Sequence, residues 1–328
     1  MQQKILVTRP IFPDLITRLR EYFEVYVNEG SRYSRDQLRV ALEDKEGVLV
    51  AGGEKFDADL LEGLTRLRAV CVSAAGYNNV DVPALTRAGV IVTNSPGPAD
   101  ETTADFAWGL MLATARRLVE ATNWVGEGHW KGSAGTRFFG TDVHGKVLGI
   151  IGMGRIGQAI ARRAAGFRMK VLYHNRHPLH AAIEAECRAS RMTKEELLRL
   201  ADFVILSLPY APDNHHLIGA KELQLMRPSS MLFNIARGGL IDEVALAESL
   251  QQGQIAAAGL DVFEGEPLIH PGLIGLPNVV LTPHIAGGTE ATQYGLASMA
   301  ADNLIAALGQ GPDAGRPAAI LNPEVLKV

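Results

Sequence analysis

The chain has 328 residues, a net charge of -4 and a pI near 6.2, with 47% hydrophobic and 21% charged residues. That length allows two domains, or one large one, with sizeable cores, and the mild acidity leaves no electrostatic footprint for nucleic acid or an anionic membrane surface. The only cysteines, Cys71 and Cys187, lie in or near apolar runs and read as buried free thiols, and no CxxC or His/Cys spacing suggests a metal.

The opening "MQQKILVTRP" lacks the apolar core of a signal peptide. The longest helix-like apolar stretch, "FAWGLMLATA", is about half a membrane span, so the expectation is a cytoplasmic protein. Strand-like runs then follow in order: "KILVT", "FEVYV", "GVLVA" and "AVCVSA". A long helical stretch over 101–122 comes next, opening at "DETTAD", where Asp100 or Thr102 could cap. The irregular segment "GEGHWKGSAGTRFFGTDVHG" follows, in which Trp130 or Phe138 could line a site mouth, a core or an interface. The strand pattern restarts near 145 with "KVLGIIG", "KVLYHN", "DFVILSLP", "SMLFNIA", "AAAGLDV" and "NVVLTP". A second long helix is expected at about 289–308, and "RPAAILNPEVLKV" would return to the first domain. Short, continuous, apolar strands alternating with helices read as parallel strands covered on both faces. The expected fold class is therefore α/β with doubly wound sheets.

"VLGIIGMGRIGQAIARR" is strand, Gly152-x-Gly154-x-x-Gly157, then helix. Gly152 permits the tight turn, Gly154 leaves room for a pyrophosphate, and Gly157 lets helix and strand pack closely. The helix N-terminus offers N–H groups and positive potential to phosphate. About 20 residues further on, such units usually carry an acid for the adenosine ribose. Here the strand end reads "VLYHNRHP": Asn175 takes the acid's place and Arg176 follows. Loss of the carboxylate removes repulsion of a 2′-phosphate, and a guanidinium suits that phosphate. NADP is the expected cofactor, with NAD possible at lower affinity; His174 and His177 could assist or simply lie at the surface. The alternative is that Arg176 stacks on adenine and both cofactors bind.

Three later strand ends carry Arg237 ("NIARGGLIDE"), then Asp261, Glu264 and Glu266 ("GLDVFEGEP"), then His284 ("TPHIAGG"). Active residues of doubly wound sheets gather at carboxyl ends of strands. Reduction of a 2-oxo acid builds negative charge on the ketone oxygen. That chemistry calls for a proton donor, a carboxylate that orients it, and a cation that anchors the substrate. His284, Glu266 and Arg237 fit those roles in turn, and Asp261 is expected on the cofactor side of the cleft, facing the nicotinamide.

"SAAGYNNVD", "TTADFAWGLMLATARR", "GKVLGIIGMGRIGQAIARR", "NIARGGLIDE", "GLDVFEGEP" and "TPHIAGGT", in that order, make the chain resemble the D-isomer-specific 2-hydroxyacid dehydrogenase family over nearly its full length. The resemblance implies a Rossmann cofactor domain, 102–288, inserted into a discontinuous flavodoxin-like substrate domain, 1–101 plus 289–328, acting as a homodimer. It makes Arg237, Glu266 and His284 catalytic, and gives the substrate carboxylate to backbone N–H groups at Ala75 and Gly76. It also lines the cofactor with Thr103, Arg155, Ile156, Pro209, Ile235, Ala236, Gly287 and His284, besides Gly152, Gly154, Gly157, Asn175, Arg176 and Asp261. Within the family, "FFGTDVHGK", "YHNRH" and "GLDVFEGEPL" look most like the glyoxylate/hydroxypyruvate reductases, also called 2-ketogluconate reductases, which commonly prefer NADPH. The competing reading is a nucleotide-sensing binding protein or corepressor that keeps the same fold and triad; turnover of an oxo acid separates the two. No metal, nucleic acid or membrane partner is expected, only a small 2-oxo or 2-hydroxy acid.

Overall fold

The computed structural model describes residues 2–327. They hold two parallel sheets. The first joins β1 (Lys4–Val7), β2 (Glu24–Val27), β3 (Gly47–Val50), β4 (Ala69–Val72) and β5 (Ile91–Thr93) in the order β2-β1-β3-β4-β5. The second joins β6 (Val147–Ile151), β7 (Lys170–His174), β8 (Ala189–Arg191), β9 (Phe203–Leu206), β10 (Met231–Asn234), β11 (Ala257–Leu260) and β12 (Val279–Leu281). Its order is β12-β11-β10-β9-β6-β7-β8. All neighbouring pairs run parallel. The first is the flavodoxin-like strand order. The second, counted from its own first strand, is the Rossmann order with one strand added, and its direction of winding reverses between β6 and β9. The expected α/β class is the observed one.

The apolar runs have the predicted cause. Every residue of β3, β4, β9, β10 and β11 is buried, as parallel strands with helices on both faces must be. The chain divides into two compact units, Met1–Ala99 with Gly288–Val328, and Asp100–Gly287. In the first unit the C-terminal segment lies along β5: Leu321 donates to the Val92 carbonyl at 2.8 Å, and the Asn322 Oδ1 accepts from the Val92 N–H at 2.8 Å.

Two strands escape the sequence pattern. β5 has three residues, and β8 buries only Ala189. The helix expected over 101–122 is two helices, Asp100–Ala115 and Leu118–Gly126, with Arg117 between them at φ +53°. The cause is tertiary. A Cβ at Gly140 would stand 2.4 Å from the Ala115 carbonyl oxygen, so the later chain crosses the helix end in backbone contact. Thr141 donates to that same carbonyl at 2.8 Å, satisfying the acceptor that a continuing helix would have used four residues on. Asp100 is itself the first helical residue and Thr102 lies inside the first turn, so neither stands outside the helix as a cap. The second long helix, Glu290–Ala307, is capped by the Thr289 side chain, which accepts from the Thr292 N–H. Cys71 and Cys187 are free and buried. No helix among the described residues is long and apolar enough to cross a membrane.

Candidate active site

The carboxyl edge of the seven-stranded sheet carries most of the predicted residues. At its centre β6 runs into the glycine turn. Gly152 sits at φ +98°, and a Cβ there would stand 2.4 Å from the Ser207 carbonyl oxygen. At Gly157 a Cβ would stand 2.5 Å from the Gly152 carbonyl oxygen, so turn and helix touch backbone to backbone. Gly154 differs: a Cβ there would meet no protein atom within 4 Å, and its φ of -78° suits any residue. The protein itself gives no reason for glycine at 154. A ligand approaching the backbone does. The helix Arg155–Ala164 that begins there has no side-chain cap and no acid in its first turn, which leaves its N-terminal donors suited to phosphate. These residues fit a dinucleotide pyrophosphate.

Beside the turn, β7 ends on Tyr173 and His174. The buried Tyr173 hydroxyl donates to Glu184 at 2.6 Å and accepts from the Leu179 N–H at 2.9 Å, fastening the segment after the strand. Asn175 turns its side chain to the glycine turn, where Oδ1 accepts from the Met153 N–H at 2.7 Å. Arg176 is 85% exposed, with Asp213 at 3.8 Å. A residue missed by sequence reasoning joins it: Arg191, at the end of β8, donates to the carbonyls of Asn175 at 3.2 Å and Arg176 at 3.1 Å. This brings a second guanidinium to the same strand end. Arg155 pairs through Nε with Asp100 at 2.9 Å.

Further along the edge, the loops after β10, β11 and β12 bring together Arg237, Glu266 and His284. Gly238 explains how the first two loops meet. A Cβ there would fall 1.8 Å from the Phe263 carbonyl carbon and 2.1 Å from the Glu264 nitrogen, so only glycine lets the Arg237 loop lie on the Glu266 loop. The Asn234 side chain closes the turn, donating to the Arg237 carbonyl at 2.8 Å and accepting from the Ala236 N–H at 3.0 Å. Burial lowers the Arg237 guanidinium pKa from its usual value, and the charge of Glu266 opposes that shift. Glu266 Oε1 accepts from the Phe263 N–H at 3.0 Å, while Oε2 faces His284 Nδ1 at 2.8 Å. The buried Glu243 holds the same loop, accepting from the N–H groups of Glu264 at 2.7 Å and His270 at 3.3 Å.

His284 has φ +55°, a left-handed conformation that a non-glycine residue keeps only when its surroundings impose it. Asp261 imposes it. This fully buried residue accepts from the Thr282 hydroxyl at 2.7 Å, the Ile285 N–H at 2.9 Å and the Ala286 N–H at 2.8 Å, and its carbonyl takes the His284 N–H at 2.8 Å. The sequence reading turned Asp261 toward the cofactor. The contacts observed give it the task of fixing the His284 loop.

The remaining predicted residues are spread out. Pro209 follows β9, and its carbonyl accepts from the Asn214 amide at 2.9 Å. Ile235 and Ala236 are buried just past β10, Thr103 is buried in the first turn of Asp100–Ala115, and Gly287 is the last residue of its unit. Ala75 and Gly76 belong to the other unit, half-buried in the loop after β4, where the Asn94 amide donates to the Ala75 carbonyl at 2.7 Å. Phe138 packs edge-on against Trp124 at 5.4 Å, whereas Trp130 is exposed.

Residues 108–286 match the model of the D-isomer specific 2-hydroxyacid dehydrogenase, NAD binding domain. The chain is 44% identical to the glyoxylate reductase of Thermococcus gammatolerans, covering 100% of this chain and 98% of the relative. It is 45% identical to glyoxylate/hydroxypyruvate reductase B of Serratia proteamaculans, over 94% of this chain and 95% of the relative. Among solved structures, the NADPH-dependent glyoxylate/hydroxypyruvate reductase of Sinorhizobium meliloti, in complex with NADP and malonate, superposes with a TM-score of 0.87 at 32% identity. That match covers 98% of this chain and 97% of the other. The chain belongs to the D-isomer-specific 2-hydroxyacid dehydrogenase family, and is an oxidoreductase of that family.

Proposed function

We propose that the protein reduces small 2-oxo acids, glyoxylate and hydroxypyruvate foremost and 2-ketogluconate as a larger member, to D-2-hydroxy acids with NADPH. The observation that carries this reading is the 2.8 Å contact between His284 Nδ1 and Glu266, on loops that share an edge with Arg237 and the glycine turn. The cofactor, when bound, supplies the hydride to the oxo carbon. His284 gives its proton from Nε2 to the ketone oxygen, which stays on carbon as the hydroxyl of the product. Glu266, held by its own loop through Phe263, fixes the ring through Nδ1 and stabilises its protonated form. Arg237 anchors the substrate carboxylate and draws charge toward the carbonyl. Ala75 and Gly76, in the other unit, are read as carboxylate-binding residues through their backbone N–H groups. Gly154 and the first turn of Arg155–Ala164 receive the pyrophosphate, with Thr103, Pro209, Ile235, Ala236, Asp261 and Gly287 along the cofactor. The NADP preference rests on Arg176, seconded by Arg191, at a strand end whose Asn175 brings no repelling charge. The test is NADPH absorbance after glyoxylate or hydroxypyruvate is added. It should fall, and a flat trace with both acids overturns the proposal.

In this reading 1–101 with 289–328 is the substrate domain and 102–288 the cofactor domain, and the enzyme works in the cytoplasm as a homodimer. The dimer is supported by an apolar face. The helix Leu118–Gly126 buries none of its residues, and Leu118, Val119, Val125, Trp130 and Phe139 are all exposed. Val119 and Phe139 line a depression of about 620 Å³ together with Trp124 and Val280. Exposed apolar side chains grouped on one helix and the segment after it suit an interaction surface. Analytical ultracentrifugation should give twice the chain mass, and Val119→Glu should shift it toward the monomer.

A further inference from the structure

A second constellation lies on the same sheet edge, and neither hydride transfer nor substrate anchoring uses it. His215 and His216 follow the short turn Pro212–Asn214 after β9, and Glu264 stands on the loop after β11. Consecutive side chains on an extended strand point apart. Here His216 is left-handed, at φ +52°, and its N–H donates to the Gly239 carbonyl at 2.8 Å. The two rings therefore lie side by side, with centroids 3.8 Å apart and planes 25° apart.

Their orientation is specific. His216 Nε2 is 3.0 Å from one Glu264 oxygen and His215 Nε2 is 3.6 Å from the other. The opposite nitrogens each face an oxygen of their own. His215 Nδ1 is 3.3 Å from the Tyr210 hydroxyl, and His216 Nδ1 is 4.0 Å from Asp242. His215 has the arrangement of a metal-bound imidazole, one nitrogen toward the ion site and the other on an oxygen that fixes ring and tautomer, whereas His216 Nδ1 keeps only an ion-pair distance from Asp242. Glu264 is pre-set as well, because Glu243 takes its N–H at 2.7 Å and Gly238 lies against its backbone. One ligand atom from each of the three residues lies within 4.8 Å of the others. Bonds of about 2.0–2.2 Å to nitrogen and oxygen would draw them slightly closer. The three side chains remain 35–43% exposed, so an ion can enter from solvent.

We propose that His215, His216 and Glu264 form a binding site for a divalent transition-metal ion of the zinc class. Two imidazoles and a carboxylate suit zinc, nickel or cobalt. Magnesium and calcium favour oxygen-only ligand sets. An ion held there would tie the loop after β9 to the loop that carries Glu266.

The test uses the tag-free full chain, stripped with EDTA and titrated with ZnCl2 by calorimetry. One saturable Zn2+ per chain is expected, with no heat from MgCl2. Glu264→Gln keeps the side-chain shape, and His216→Asn suits the positive φ. Each should weaken Zn2+ binding by more than the ~10- to 100-fold that loss of an outer partner costs. Tyr210→Phe, which removes only the oxygen behind His215, should fall within that range. Co2+ absorbance gives a second readout: visible bands should appear in the parent and be lost in His215→Gln, whose melting curve checks its fold. No saturable Zn2+ binding, or the same affinity and the same Co2+ bands in these variants as in the parent, would overturn the site.

Discussion

One sheet edge holds two halves built on opposite plans. The half around β6, β7 and β8 works through backbone and exposed cations: three glycines, an uncapped helix start, Arg176, and Arg191 laid over the chain. The half around β10, β11 and β12 works through side chains that other side chains hold still. There Asp261 imposes a left-handed backbone on His284, Glu243 pins the Glu264 loop, and Gly238 lets two loops touch. Under the proposed function, the difference follows the ligand's demands. A pyrophosphate is bound by many weak donors whose exact places can vary. A proton donor must hold one ring in one orientation, because a small misplacement costs much of the rate.

Substitutions can break each half separately. The largest effect is expected from His284→Ala, which should lower kcat by roughly 100-fold or more, while NADPH binding, read by fluorescence titration, stays near the parent. Equal kcat in parent and variant would remove His284 from the chemistry. Arg237→Lys comes next. It keeps the charge but loses the two-pronged contact, so KM for the oxo acid should rise and kcat fall, together by about 10- to 100-fold, as for loss of a charged hydrogen bond. Unchanged steady-state constants would leave Arg237 a structural residue.

Asp261→Asn sharpens the comparison from inside the half that holds His284. An amide has one acceptor oxygen, so one of the Ile285 and Ala286 N–H groups must face an NH2 group. A buried bond to a charged acceptor contributes about 1.5–3 kcal/mol. Urea unfolding should show a loss of that size, with kcat falling less than in His284→Ala. Parent-like stability would mean the carboxylate does not hold the loop. In the other half, Arg176→Ala should weaken NADPH by roughly 10-fold and leave NADH nearly unchanged. Equal losses for both cofactors would mean that this arginine meets a part common to the two. The smallest effect belongs to Arg191→Gln. An exposed charge contributes up to about 1 kcal/mol, so NADPH should weaken by no more than about 5-fold.

The two halves also differ in how far the sequence discloses them. The glycine turn could be read directly, because its glycines and the strand and helix around it are contiguous and each serves a local need. Arg237, Glu266 and His284 were readable as types at strand ends, since parallel strands bring their carboxyl ends to one edge. What holds them was not. Asp261 stands in a strand-end acid run, and the partners it holds lie up to 25 residues away in sequence. Glu243 opens a helix, where an acid already has a local explanation. Arg191 ends a three-residue strand with one buried position, too little to show a period. The helix break at Arg117 was hidden for the same reason: residues 140 and 141, not the local sequence, terminate the helix. Ten of the twelve strands could be read from short apolar runs. Contacts made across long separations leave no periodic trace.

The most direct test is a comparison of kcat/KM for NADPH and NADH in the unaltered protein, with glyoxylate and with hydroxypyruvate at saturation. The account predicts turnover of both acids, D-glycerate as the product from hydroxypyruvate, and a higher kcat/KM with NADPH. No turnover of either acid with either cofactor, or a preference for NADH, would contradict it.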